Sequence, residues 1–312
     1  MMKKSLIIII FFFLIVYCQL STVNCFAQQL PVYSQYILNN FLLNPAIAGS
    51  IEEYSPIRIS LRNQWVGFDG APQTQMLSFH GFLGKGVGLG GFIFHDITGP
   101  IRHSTIQFSG AYHLPFKHLN SKLSFGLSMA LSGYSLKKEE LKADPDGFPD
   151  PTIDQGINKT VVPDMSFGVY YSSEDYYAGL SVVQLVQSRL NSNSDNLREV
   201  RHYFLFAGYD FWVNDDFTVE PSFLLKGTET SPFQVDVNTK VFYKEDYSLG
   251  ISYRNKDAVV VMLGVKFKQF YLGYAYDIVL SNIQKYSGGS HEIIIGFDIE
   301  QSRAQWKYPR YM

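Results

Sequence analysis

From Ile57 onward the chain divides into segments of about ten residues in which apolar and polar side chains alternate, the period of two that sends successive side chains to opposite faces of a strand. In 121–135 the residues Leu123, Phe125, Leu127, Met129 and Leu131 share one face, and Ser124, Gly126, Ser128, Ala130 and Ser132 the other. Fourteen such segments are predicted, at 57–66, 73–83, 86–96, 103–114, 121–135, 163–173, 175–184, 201–213, 216–226, 232–243, 246–255, 257–267, 269–279 and 290–299. An even number of strands of this length, one face apolar and the other polar, is the pattern of a membrane barrel with lipid outside and a polar lumen. Links after even-numbered segments are short (Gly84–Lys85, Ser173–Glu174, Asn214–Asp215, Lys244–Glu245, Lys268), whereas the long ones, 136–162, 185–200 and 280–289, all follow odd-numbered segments. Only a closed sheet pairs every strand edge in lipid, and sorting of loops by parity fits one that spans a bilayer. A soluble two-sheet protein, which alternation alone permits, gives no reason for that sorting. It also leaves unexplained the aromatics at segment ends, Tyr170, Tyr171, Tyr176, Tyr177, Phe211, Trp212 and Tyr243, which the barrel uses as interfacial girdles. The expected fold is an all-β, transmembrane antiparallel β-barrel of about fourteen strands.

The first residues prepare for export. Lys3 and Lys4 precede an apolar block from Leu6 to Tyr17, and Ala27 follows as a small residue before Gln28 and Gln29, the layout of a signal peptide. Residues 1–27 are assigned to it, 28–56 to a lead-in or plug, 57–299 to the barrel and 300–312 to a tail. Thr22, Val23 and Asn24 before Cys25 make a poor lipobox. Both cysteines, Cys18 and Cys25, fall in the presumed signal, which leaves no thiol for a disulfide or a metal site. A net charge of −2 supplies no basic field for nucleic acid.

The stretch from Tyr33 to Pro72 carries a more specific pattern: Tyr36, Asn44-Pro45-Ala46, Ala48-Gly49, then Arg62-Asn63-Gln64-Trp65-Val66-Gly67-Phe68-Asp69-Gly70-Ala71-Pro72. Gly88-Leu89-Gly90, Leu123–Leu127, Tyr177–Ser181, His202-Tyr203-Phe204, Pro221-Ser222, Ser252-Tyr253-Arg254, Gly273–Asp277 and Ser290–Ile293 follow in order. Together these closely resemble the PorP/SprF family of outer-membrane barrel proteins of the type IX secretion system in Bacteroidetes, some members of which are tied to gliding motility. The chain departs from the family at its end, where Tyr308-Pro309-Arg310-Tyr311 stands in place of a Cys-Pro-Arg-Phe stretch. The resemblance implies location in the cell outer membrane, contact with its lipid, and a part in secreting or anchoring cargo proteins that carry a type IX C-terminal sorting domain. It also implies partners among periplasmic secretion-ring or motor-linked components. On its motifs, Asn44, Pro45, Gly49, Arg62, Gln64, Trp65, Gly67, Asp69, Gly70, Pro72, Arg254, Asp277, His291 and Glu292 are assigned a structural or partner-binding role.

Several of these residues carry charge inside strand-like segments. An Arg or Lys on the lipid face costs roughly 2–4 kcal/mol at mid-depth, so Arg62, Gln64, Arg254, Asp277 and Glu292 are expected in the lumen. There they form either a cargo-guiding lining or, more simply, a salt-bridged filling. His95-Asp96 and His291-Glu292 invite an acid/base reading, but adjacent strand residues point to opposite faces and cannot share a proton. No nucleophile elbow, His-Glu-x-x-His run or cysteine metal motif occurs. An outer-membrane hydrolase would have to use His80, His95 or His291, and neither enzyme activity nor a cofactor is expected. Asp144, Asp146, Asp150 and Asp154 could gather around Ca²⁺ but lack the EF-hand spacing. That loop is read as solvated surface, as is Ser188–Asn196. Gln28–Ser50 fits a lumen plug, a periplasmic docking segment or a packed lead-in. A diffusion channel or small-solute transporter, which needs an open polar lumen, is the alternative function.

Overall fold

The computed structural model describes residues 30–31, 33–137, 140, 159–190, 198–229 and 231–301. The strands are β1 (Tyr54–Asn63), β2 (Gln73–Gly84), β3 (Val87–Thr98), β4 (Ile101–Phe116), β5 (Ser121–Leu136), β6 (Lys159–Ser173) and β7 (Tyr176–Val183). Then come β8 (His202–Tyr209, continued beyond Asp210 by Phe211–Trp212), β9 (Phe217–Thr228), β10 (Gln234–Tyr243), β11 (Tyr247–Arg254), β12 (Ala258–Phe267), β13 (Phe270–Val279) and β14 (Ser290–Glu300). Each pairs antiparallel with its sequence neighbours, and β1 pairs with β14 from Tyr54↔Glu300 to Asn63↔His291. The result is a closed fourteen-strand barrel. Both segments of β8 pair with β9, so the break at Asp210 is an interruption within one stave.

The burial pattern inverts that of a soluble protein. Along β5, Ser124, Ser128 and Ser132 are buried while Leu127 and Met129 are 57% and 67% exposed, and β1, β11 and β14 repeat this polar-in, apolar-out pattern. In water such a surface would be a continuous apolar patch; in lipid it is the stable arrangement. Among the described residues no helix is long and apolar enough to cross a membrane, and the strands do the crossing. Three long links (64–72, 184–201 and 280–289) leave one end of the barrel, together with the link 137–158, whose residues 138–139 and 141–158 lie outside the described set. The opposite end has tight turns. Two of these, Lys85-Gly86 and Lys244-Glu245, have positive φ at both residues, the twist that matches paired strands.

Three expectations are corrected. The first strand is Tyr54–Asn63 and not 57–66, because Trp65 turns the chain with φ 48° and Gly67 with φ 95°. Gln64 and Trp65 therefore belong to a loop, and Gln64 is not a lumen-facing strand residue. The first short turn falls on Lys85-Gly86, since Gly84 still belongs to β2. Of the girdle aromatics, Tyr171, Tyr176, Phe211, Trp212 and Tyr243 lie on the outer side, but Tyr170 and Tyr177 are buried in the lumen. Two consecutive tyrosines on a strand place one ring on each face.

Residues 33–53 run through the lumen from the long-loop end to the short-turn end. Ser34 meets Asp277 and Glu292 near the outer ends of their strands, and Glu52 meets Lys122 near the inner start of β5. Between these points lie two short 3-10 turns, Tyr36–Leu42 and Pro45–Ile47. Phe41, Ala46, Ile47 and Ala48 join Tyr170, Tyr177, Phe204, Phe206 and Leu224 in the largest apolar cluster. The core of this barrel is thus the contact between its wall and its own N-terminal segment.

The lumen segment and its two attachment points

The inner attachment is a backbone-to-wall fit. Asn44 caps the second 3-10 turn by accepting a hydrogen bond at Oδ1 from Ala46 N (2.9 Å), and Pro45 occupies the first turn position, where a missing N–H costs nothing. The Asn44 amide also donates to the carbonyls of Val169 (2.9 Å) and Leu180 (3.3 Å), a registered pair on β6 and β7. Facing this stretch are lumen-side glycines of three strands. A Cβ on Gly126 would overlap Ala46 N, on Gly168 the Asn44 side chain, and on Gly88 the Ala48 carbonyl. Gly49, at φ +69°, sits against Gly88 and Gly81, in a conformation and at a closeness that only glycine allows. Two histidines complete the seat: His113 Nε2 lies 2.9 Å from the Ala48 carbonyl, and Gly49 N donates to His80 Nδ1 at 3.2 Å.

The outer attachment is ionic. Arg62 of β1 reaches Asp277 of β13 (2.7 Å) and Glu292 of β14 (3.2 Å), and donates to Ser34 Oγ at 2.7 Å. Ser34 Oγ in turn donates to Asp277 (2.6 Å), while Ser34 N and Gln35 N donate to the two Glu292 oxygens (2.7 and 3.2 Å). Arg254 extends the network to Asp236 (3.1 Å), Asp257 (3.4 Å) and Asp277 (3.5 Å). Buried charges persist only when paired and hydrogen-bonded, and here part of the pairing comes from the lumen segment. Arg62, Arg254, Asp277 and Glu292 therefore meet in one cluster, with Gln64 outside it. His291 lies on the opposite face from Glu292, its Nδ1 2.7 Å from Tyr274 Oη.

The remaining family-motif residues form a tied-down loop at the long-loop end. Gln64 N donates to Pro72 O (2.9 Å), Val66 N to Gly289 O (2.8 Å), and Gly99 N to Gly70 O (2.9 Å). These bonds fasten 64–72 to two neighbouring links and leave Val66, Gly67, Phe68, Asp69 and Gly70 exposed. Also at the long-loop end, beside the link at Ser231–Phe233, the lumen opens into a chamber of about 590 Å³, lined by rings such as Tyr33, Phe94 and Phe204 and by Lys226, Asp164 and His202. A smaller cavity of about 130 Å³ lies at the other end of the segment, beside Arg58, Lys122 and Glu220. In the link 184–201, Glu199 is buried and accepts from Tyr134 Oη at 3.0 Å; burial, and then the charge of Asp164, push its carboxyl up to about 7.

Alternation identified which strand residues face inward, but it could not name Ser34, Asn39, His80, His113 or the wall glycines as contacts of the segment. The available signal was a glycine on the lumen face of each of several strands. The aspartates weighed for Ca²⁺ in the surface loop, the signal peptide and residues 302–312 of the tail lie outside the described residues.

The family model described as "Type IX secretion system membrane protein PorP/SprF" matches residues 25–297. The chain belongs to the PorP/SprF family. No curated protein matches it in sequence. Among solved structures this PorP/SprF barrel is similar to the Ralstonia pickettii toluene transporter TbuX, with a TM-score of 0.52 at 11% identity over 83% of this chain and 92% of that one. It is also similar to the deltaS2S3 mutant of the monoaromatic hydrocarbon channel TodX, with a TM-score of 0.50 at 7% identity over 84% and 94%. At such identities the likeness is one of fold alone. This PorP/SprF member is an outer-membrane β-barrel, and its family is one of type IX secretion components.

Proposed function

We propose that this PorP/SprF protein is a non-enzymatic receptor or anchor that engages exported cargo with C-terminal sorting domains at its long-loop end. The observation that carries this reading is the filled lumen. Residues 33–53 are pinned at the outer end by Arg62, Asp277 and Glu292 and at the inner end by the glycine seat, which leaves a chamber at the long-loop end, the end that also carries the firmly held loop 64–72. In outer-membrane barrels the long loops face the cell exterior, so chamber and loop are presented where cargo arrives. A pinned segment is poorly suited to a wide diffusion pore, which needs an open lumen. The short-turn end, with Glu52, Lys122 and Glu53, faces the periplasm and is the side from which secretion-ring or motor-linked partners would dock.

Affinity purification of the tagged protein from outer membranes in mild detergent, followed by mass spectrometry, tests the reading. Recovery of a large exported protein bearing a type IX sorting domain is expected, together with its loss when Phe68→Ala and Asp69→Ala are combined. Recovery of the barrel alone from cells expressing such cargo, with large steady pores in planar bilayers, would favour a solute channel.

A further inference from the structure

The lumen segment fits the two sides of the barrel differently. Against β3–β6 it rests on wall backbone at Gly88, Gly126 and Gly168. On that side single serine hydroxyls are unmet, at Ser121 and Ser128 of β5, whereas β10 carries an unbroken run of unmet polar atoms. Three successive lumen-facing residues of that strand, Asp236, Asn238 and Lys240, each keep one buried polar atom without a hydrogen-bond partner: Oδ1, Oδ1 and Nζ. So does Ser222 Oγ, on the β9 residue registered with Asn238. The Asn238 amide spends one N–H on Tyr36 Oη at 2.6 Å, the tie between the segment and this strand. Lys240 rests 4.8 Å from the Phe242 ring centroid, a face contact that leaves its N–H donors unmatched, and its stem packs with Met262 over Gly250, its registered neighbour on β11.

An unmet buried polar group is costly because it has given up its water without replacement, and a charged one more so. Folded proteins avoid that cost with ordered water where polar partners are close enough to share it. These four atoms lie in one column that spans roughly 13 Å at the rise of a β-strand. Asp236, at its outer end, lines the 590 Å³ chamber. At its inner end, Glu220, registered with Lys240, and Phe242 line the 130 Å³ cavity. We propose that a file of water runs down the lumen face of β10 and joins the two cavities, so that the filled barrel still passes water and small inorganic ions past its N-terminal segment. The path carries an acid at its outer end, a neutral amide midway and an ammonium at its inner end. It is independent of the secretion reading, since either outcome below leaves cargo capture untouched.

Single thiols test the path, because no cysteine follows Cys25. Asn238→Cys and Ser222→Cys, each checked for native heat-modifiable mobility, are exposed to 2-aminoethyl methanethiosulfonate. Ser231→Cys at the chamber serves as the wet control, and Val260→Cys, in a buried apolar cluster on the lumen wall, as the dry one. The thiols at 222 and 238 are expected to react in the folded protein while that at 260 stays protected. A small ohmic conductance in planar bilayers is expected to fall when Asn238→Cys is modified, and Lys240→Met is expected to shift selectivity toward cations. Protection of 222 and 238 equal to that of 260 would show a dry contact and overturn the proposal. Reaction at both positions without conductance would show a closed water pocket and overturn the through-path.

Discussion

Replacing Gly126 by alanine adds one methyl group, and its effect depends on which face of β5 receives it. On the lumen side that methyl would overlap Ala46 N and the Pro45 carbonyl carbon, backbone atoms that no rotamer change can move aside. Overpacking of this kind costs about 1–3 kcal/mol. If the segment lifts to make room, it also loses the two Asn44 hydrogen bonds to Val169 and Leu180, at about 0.5–1.5 kcal/mol each. The sum puts the weakening of docking at about 2–6 kcal/mol, or roughly a 30- to 20,000-fold rise in the open population at tenfold per 1.4 kcal/mol. Gly110→Ala is the matched control: it lies on the lipid side of β4, where the nearest atom to an added Cβ is Leu89 Cδ2 at 3.5 Å, and it should stay within about 0.5 kcal/mol. Hydrogen exchange at the amides of Ala46, Ala48 and Gly49, in detergent at fixed pH, reads the difference directly. Equal protection in the two variants would refute the claim that bare glycine backbone is what seats the segment.

Further predictions concern charge, pH and the lipid face. Arg62→Ala leaves Glu292 a buried carboxylate without its arginine and Asp277 with Arg254 at 3.5 Å, and should cost about 3–5 kcal/mol; limited proteolysis should then cut near Ser34 while the barrel keeps its heat-modifiable band, and an uncut segment would count against the ionic attachment. The carboxyl of Glu199, pushed up to about 7, favours its protonated form in the closed link, so closure is strongest at low pH and weakens as pH rises from the ordinary glutamate value through 7. Exchange protection in 184–190 and 198–201, taken relative to the intrinsic amide rate at each pH, should therefore be lower at pH 8.5 than at pH 5.5, and Glu199→Gln should remove the difference; a link that loosens toward acid pH would contradict the assignment. Leu127→Arg, on the lipid face of β5, should destabilise the barrel by roughly 2–4 kcal/mol in urea titrations from liposomes, and a neutral result would place that face away from lipid.

How much of this was legible follows from the range over which each constraint acts. Strand existence and facing are local: a period of two over Leu123–Ser132 is decided within ten residues, and the parity of loop lengths fixed the barrel's two ends. The end of β1 differs from the expected one because no glycine or proline interrupts the chain between Ile57 and Val66, and the left-handed backbone at Trp65 turns it away all the same. The attachments of the lumen segment could not be seen, since they join residues far apart in the chain: Asn44 to Val169, Ser34 to Glu292, Ala48 to His113. Lumen placement of Arg62, Asp277 and Glu292 was predictable from the cost of charge in lipid, but that Ser34 would bind all three was not.

The outer attachment also bears on the order in which this molecule can be assembled. A barrel is finished when its first and last strands zip together, here β1 and β14. Arg62 belongs to one of those strands and Glu292 to the other, and Ser34 bonds to both. The seam therefore closes around the N-terminal segment, and the segment acts as a clasp across it. Threading the segment into a finished cylinder would mean passing Phe41 and Tyr36 through the narrow glycine seat. Laying it across the open sheet first lets closure and capture happen in one step, with the buried charges neutralised as the last strand pair forms.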